Sequence, residues 1–499
     1  MKRMGKLIAV LLSAALLLTA CAGGSGETSS AAPSASGTTA SSAASASSAA
    51  SDTSEAASVA VKADPNQFVA AFNAEPGKLD PQNNTILTGM MAAKQIYEPL
   101  FDKDPETGEF IPMLATEWEW VDDTHLALTL REGVTFHNGE AFTAEDVAYT
   151  VSRFPDGSAT GTFFEAFDPE GTEVVDDYHI VIAFKRPFAP AMNDLTGGRA
   201  YIVPKDYLEE NGPTALDQNP IGTGPYQLTE WVVSSHMALT RYDGYWGEAP
   251  AIQNVRIRFI VESSARAIAL EAGEIDLAAA LDDADIEPIL AGEKAHLVGH
   301  MAPGLHTSYV AFNSEFEPFQ DLRVRQAIAY GVDWAAVTLA AGETSYAQAD
   351  SCLAPMVEYY TSIGQYEYDP DRARELLAEA GYADGLEILC IDEEIPSTIR
   401  AVEAMQAYLA DIGITMNIQA SDTATWMETL YNGTCEITLF SMTATTGDPA
   451  HALNNMLGDG PTIVSRTADE TFNELAQAGL TEMDTDARQN LRRNPAVCL

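Results

Sequence analysis

The sequence predicts an α/β fold. Two kinds of local signal alternate along it. Leu126, Leu128 and Leu130, and later Val255, Ile257 and Phe259, repeat at the two-residue period of half-buried strands. Between and after them stand helix-start signatures: Thr143 with Asp146, Asp321, and Asp369 before Pro370. With 46% hydrophobic residues in 499, the chain can bury a sizeable core. Its length suggests roughly two to four domains.

The first 20 residues combine a basic start (Lys2, Arg3, Lys6), an apolar run from Leu7 to Leu18 and small residues before a cysteine. This is the pattern of a secretory signal, and the run is too short for an ordinary membrane span. Leu18-Thr19-Ala20-Cys21 matches a bacterial lipobox, which makes Cys21 the expected lipidated N-terminus; the alternative is an ordinary signal peptide with a chance cysteine. Residues 21–62 are largely Ser, Ala, Gly and Thr and are expected to form a flexible tether, because such a segment cannot bury enough apolar surface to offset its ordering entropy.

Composition excludes whole classes of function. Seventy-three acidic against 27 basic residues give a net charge of −46, or −49 once the three leading basic residues are removed. A nucleic-acid partner would need a basic footprint. The acidity reads as a solvated surface and suits work outside the cell beside an anionic membrane. No GxSxG, HExxH, GxxxxGK[ST] or dinucleotide-binding glycine pattern is present, so the sequence offers no catalytic residue and calls for no cofactor. Cys352, Cys390, Cys435 and Cys498 lack CxxC spacing, which argues against structural zinc and leaves their pairing open.

The globular part is expected from residue 63. Gln67 to Phe72 reads as a first strand, Met90 to Tyr97 as a helix, and His179 to Phe184 as a strand after a hairpin turn at Asp177-Tyr178. Thr143 and Asp146 form a capping box for a helix through Val147 and Val151 that ends near Phe154. Ala265 to Leu270 is helical, and the chain returns to a strand around Leu277. Further on, Asp321 caps a helix that Gly331 ends, and Gly381 sits where a C-cap glycine belongs. Arg400 to Ile412 places Val402, Met405, Leu409 and Ile412 on one face. Strands follow at Ile414 to Ile418 and Glu436 to Phe440, then helices at Thr471 to Ala478 and Asp486 to Leu491.

Ile221 to Trp231, IGTGPYQLTEW, is a rigid turn entering a strand, because Gly222-Thr223-Gly224-Pro225 cannot be helical. It lies between LREGVTFHNGEAFTAEDVAYTVSR (130–153) and YDGYWG (242–247), with DLRVRQAIAYGVD (321–333) and YDPDRARELLAEAGY (368–382) downstream. In that order these stretches resemble the extracytoplasmic solute-binding proteins of ABC importers in family 5, which carry oligopeptides, dipeptides and nickel chelates. The likeness runs from about Asn66 to about Gln489. It implies a two-lobed periplasmic-binding-protein fold of type II, with mixed β-sheets and a hinge between lobes. Lobe I would span 63–305, with an inserted subdomain at about 98–219, and lobe II 306–485. Related chains continue past the point where this one stops, so 486–499 is expected to be aberrant or truncated, with a sheet edge left unpaired and stability reduced.

The resemblance implies a monomeric, lipid-anchored, non-enzymatic receptor on the extracytoplasmic face, in which short peptides are buried by lobe closure and passed to an ABC permease and its ATPase. A buried zwitterion needs an arginine for its carboxylate and an acid for its amine. Arg400 matches the position of such an arginine in dipeptide-type members; alternatively it is a solvated arginine on a polar helix face. Peptide-binding members carry a tryptophan and, three residues later, an aspartate after the 436–440 strand, where this chain has Met442 and Thr445. Asp448 is the nearest acid, with the alternative of an N-cap before Pro449. His451 corresponds roughly to a histidine of nickel-type members and is the metal alternative. Trp426, Tyr431, Trp334 and Tyr97 are candidates for the pocket wall or, alternatively, for the core. A nickel-chelate receptor and a secreted interaction module or inactive fragment remain the alternative functions.

Overall fold

The structure, a computed structural model, describes residues 66–84, 86–105, 107–154, 164–342, 346–454 and 470–492, all within the unit Ser58–Leu499. The signal-like segment, the tether with Cys21, and Cys498 lie outside the described residues.

Three larger sheets organise this unit. The first has five strands in the order Leu277–Ala278, Gln67–Phe72, Asn254–Phe259, His236–Arg241, Tyr226–Val232. Gln67–Phe72 is an interior strand, parallel to Asn254–Phe259 with Ala70 opposite Ile257. Ala70 and Phe72 join the core around Tyr97, Leu208 and Leu239, while Val69 and Ala71 pack against Ala269 and Ile275 on the other face. Burial on both faces explains why this strand reads as a nearly continuous apolar run. The helix Ser263–Glu271 is tied to the sheet by Arg266, which is 2% exposed and donates to the carbonyls of Ile260, Val261, Ala279 and Ala280. A guanidinium that makes four hydrogen bonds can be buried at such a junction.

The second sheet, in the order Ala115–Asp122, His125–Leu130, His179–Phe184, Phe167–Asp176, is formed by a segment inserted in the sequence between the strands Gln67–Phe72 and Tyr226–Val232 of the first sheet. The helix Ala144–Arg153 covers it, with the capping box formed as expected: Thr143 N–H donates to Asp146 at 2.9 Å. Phe154, Phe164, Phe167, Phe184 and Phe188 fill the space beneath.

The third sheet runs in the order His306–Phe312, Ile437–Thr443, Leu386–Glu393, Ile414–Ser421. The parallel pair Leu386–Glu393 and Ile414–Ser421 is joined by the helix Pro396–Asp411, the connection that parallel strands require. That helix buries Val402, Met405 and Leu409, with Ile412 just beyond it, the face that the spacing predicts. It begins a turn earlier than Arg400, because Pro396 occupies the first helical position.

Asp392 shows a cost that packing imposes here. It is 1% exposed and accepts from the amides of Leu439 at 2.7 Å and Glu393 at 2.9 Å, yet burial pushes its carboxyl up to about 6. The fold therefore holds this proton to higher pH than the unfolded chain does. Its contribution is fully present below the ordinary aspartate value and is lost as pH rises through about 6. Between about pH 4 and pH 7 the parent should lose on the order of 2–3 kcal/mol more stability than Asp392→Asn. Urea titrations of both proteins across this range check it, and parallel pH profiles would refute it.

Candidate functional site

The central turn is a structural hub. The helix Leu87–Ala93 stops short of the expected Met90 to Tyr97, and its end tightens into three-residue turns, with Gln95 N–H bonded to Ala92 and Ile96 N–H to Ala93. The carbonyls so released accept from the turn: Gln95 O from Tyr226 N–H at 3.0 Å, and Ile96 O from Gly224 N–H at 2.9 Å. His137 N–H donates to Gly222 O at 2.9 Å, and its Nε2 bonds Gly224 O at the same distance. Beneath lies Glu98, 3% exposed, whose carboxylate takes Trp246 Nε1–H at 2.7 Å, Tyr245 O–H at 2.8 Å and Thr223 O–H at 2.9 Å. Burial raises the Glu98 pKa, and these three donors oppose the rise. Arg131 stacks on Trp246 at 4.1 Å. The motif stretches that are far apart in sequence thus meet at one buried carboxylate.

Polar side chains meet instead where the inserted segment faces the third sheet. Lys103, on the strand Phe101–Lys103, forms an ion pair with Glu358, and Asn193 joins both, accepting from Lys103 at 2.7 Å and donating to Glu358 at 3.2 Å. Asn193 also reaches Asp448 at 3.3 Å. Arg199 donates from Nη1 to the Thr445 hydroxyl at 3.1 Å. Burial depresses the Arg199 pKa, and the Asp194 charge beside it works the other way. Asp448 is fully buried and held at both oxygens by Arg488, at 2.6 and 2.9 Å. Arg488 projects from the helix Thr485–Arg492, inside the segment expected to be aberrant. Such a face can hold polar groups of a solute through paired charges and fixed donors.

The structure brings Thr445 and Asp448 to this face and distributes the other candidates elsewhere. Asp448 does cap the helix Ala450–Asn454, accepting from Ala450 N–H at 2.7 Å, but its charge is matched by Arg488. Arg400 donates to Ala340 O at 3.1 Å and Ala341 O at 2.6 Å, the C-terminal carbonyls of the helix Trp334–Ala341, where a cation is favoured. Trp426 lies in the core against Ile391 and Leu430, its indole bonded to Thr438 at 3.0 Å. Trp334 packs on the core of the third sheet and donates to Ala329 O at 3.0 Å. Tyr97, 1% exposed, lies in the core of the first sheet behind Gly222, and Tyr431 is exposed. Met442 belongs to a small cluster with Leu353 and Val357. The His451 side chain lies outside the described residues. No group of three or more His, Cys, Asp and Glu suited to a metal is found among the described residues.

Lys103, Asn193, Arg199, Glu358 and Arg488 escaped sequence reasoning. None belongs to a local pattern, and their partners lie up to 255 residues away.

Residues 109–462 match the family described as bacterial extracellular solute-binding proteins, family 5. The chain belongs to this family. Its members are substrate-binding proteins of ABC transporters and are not enzymes, which places this member outside the cytoplasm. The dipeptide-binding protein of Escherichia coli is 27% identical over 478 residues, covering 89% of each chain. The periplasmic binding protein DppA of Helicobacter pylori, solved with the peptide STSA, superposes with a TM-score of 0.70 at 25% identity, over 85% of this chain and 88% of that one. NikA of Brucella suis, solved with Fe(III)-EDTA, gives 0.75 at 25% identity, over 87% and 91%. The family 5 member therefore has the periplasmic-binding-protein fold, and its mixed sheets fit two lobes.

Proposed function

We propose that this protein captures short peptides between its lobes, closes on them and delivers them to a membrane permease driven by a separate ATPase. The observation that supports this most is the likeness to a dipeptide-binding protein over 89% of both chains, joined to a polar face between the inserted segment and the third sheet. Closure would be a hinge motion driven by tighter binding in the closed state. A metal-chelate receptor is the second reading, favoured by the likeness to NikA and by His451.

Native mass spectrometry of the chain beginning after Cys21 tests the choice. A spread of added masses equal to short peptides is expected. A single added mass with a metal isotope pattern would replace the peptide with a chelate. The lipid anchor is part of the same proposal: Cys21→Ala should move the protein out of the membrane fraction, and retention there would remove the anchor.

A further inference from the structure

We propose that a pocket beside the start of the helix Trp334–Ala341 is a second ligand site, which takes the methylated head group of a small organic ammonium. It shares no residue with the polar face described above.

The pocket holds about 200 Å³ and lies where the helix start, Gln348 and residues 365–368 meet. That is smaller than the roughly 300–1,000 Å³ of sites for drug-sized ligands, so it suits a head group and not a peptide. Trp334, Tyr366 and Tyr368 wall it, and among the described residues its charged lining consists of Asp333 and Glu367 alone. Arg372, the next basic residue along the chain, is turned to Glu375 at 3.0 Å and Glu379 at 3.8 Å. Two of the pocket's side-chain donors are already spent, the Trp334 indole on Ala329 O and the Gln365 amide on Gln348 O, both at 3.0 Å. Ring faces and carboxylates together attract a cation, and a methylated ammonium has no N–H that would need a partner there.

The helix start opposes this, since it carries about half a positive charge. Asp333 offsets it. As N-cap it accepts Ala336 N–H at 3.1 Å and brings a full negative charge to the same place. With Glu367 the sum stays near about −1.5, which favours an ammonium and repels an anion.

The walls are held in position. Tyr366 meets Tyr330 at 90° with centroids 4.9 Å apart, and Tyr368 meets Tyr408 at 76° and 5.5 Å. Asp369 N–H, just beyond, donates to Tyr330 O at 2.8 Å. Rings fixed in this way keep their geometry when a ligand arrives. Tyr368 is nevertheless 44% exposed, so binding should be weak, with a Kd on the order of 1 mM.

The experiment is a saturation-transfer NMR titration of the chain beginning after Cys21 with choline and with its neutral isostere 3,3-dimethylbutan-1-ol. Choline should saturate, and the isostere should bind at least tenfold more weakly. Glu367→Lys, at an exposed position, should abolish choline binding; Tyr366→Leu should weaken it at least threefold, and Tyr366→Phe should preserve it. Thermal melts establish that the variants are folded. Saturating tri-alanine should leave choline binding unchanged. Co-sedimentation with phosphatidylcholine vesicles that choline reverses would make a lipid the source of the head group, and choline binding without it a free solute. Equal binding of choline and the isostere overturns the inference. So does choline binding that Glu367→Lys leaves unmoved or that tri-alanine abolishes, the last because it would place choline between the lobes.

Discussion

Arg488→Ala should lower the unfolding free energy by about 3–5 kcal/mol, the cost of leaving a buried carboxylate without its cation. Asp448 is fully buried, and the Arg488 side chain is 5% exposed. The pair is bidentate, Arg488 Nε also donates to Gly479 O at 2.8 Å, and the guanidinium lies 5.3 Å from the Tyr359 ring. Removing the arginine strips Asp448 of two charged donors at once, while the Ala450 N–H bond and the long contact from Asn193 stay in place. Burial alone would depress the Arg488 pKa; the charge and hydrogen bonds of Asp448 together with Tyr359 outweigh it, so the net shift is upward. Replacing both partners by apolar residues, Asp448→Leu with Arg488→Met, should recover most of the loss, because no buried charge is then unpaired. About 1 kcal/mol should stay lost with the cap. Urea denaturation followed by tryptophan fluorescence reads all three proteins. A single variant unfolding at the parent's midpoint would show that Asp448 is not buried as described.

Local chemistry made much of the fold legible, and the site much less so. The capping box at Thr143, the Asp369-Pro370 start and the apolar face of Val402, Met405 and Leu409 each depend on neighbours within one or two helical turns, so their partners are written nearby. The Met90 to Tyr97 helix shows where this fails. Its end is set by donors from Gly224 and Tyr226, more than a hundred residues on, and no helix propensity reports them. The same holds for Arg400. The amphipathic pattern places it on a helix, but only tertiary structure supplies the carbonyls of Ala340 and Ala341 that take its donors. Asp448 was legible as a cap and illegible as an ion pair for that reason. Arg199 is the extreme case, since the single glycine pair before it carries no hint of Thr445, 246 residues away.

Gly222→Ala should cost about 3 kcal/mol, at the upper end for overpacking, since the new atom meets backbone that cannot turn aside. A Cβ at Gly222 would lie 2.1 Å from Ile96 O and 2.8 Å from both Ile96 C and Tyr97 Cδ1. The only relief is to move the turn away from the Leu87–Ala93 helix end. That movement stretches the 2.9 Å bond from Gly224 to Ile96 O and the 2.9 Å bond from His137 to Gly222 O, and it pulls Thr223 off the buried Glu98 carboxylate. Steric overlap and electrostatics therefore fail together, because a buried acid that loses a donor bears the desolvation penalty already visible in its raised pKa. Gly304→Ala is the matched comparison: its nearest neighbour would be His306 N at 3.8 Å, and the change should stay within about 0.5 kcal/mol of the parent. Equal denaturation midpoints for the two variants would mean that the turn does not press on Ile96. A selective loss at Gly222 would establish that this glycine is required by the backbone-to-backbone approach that holds the turn against the end of the Leu87–Ala93 helix.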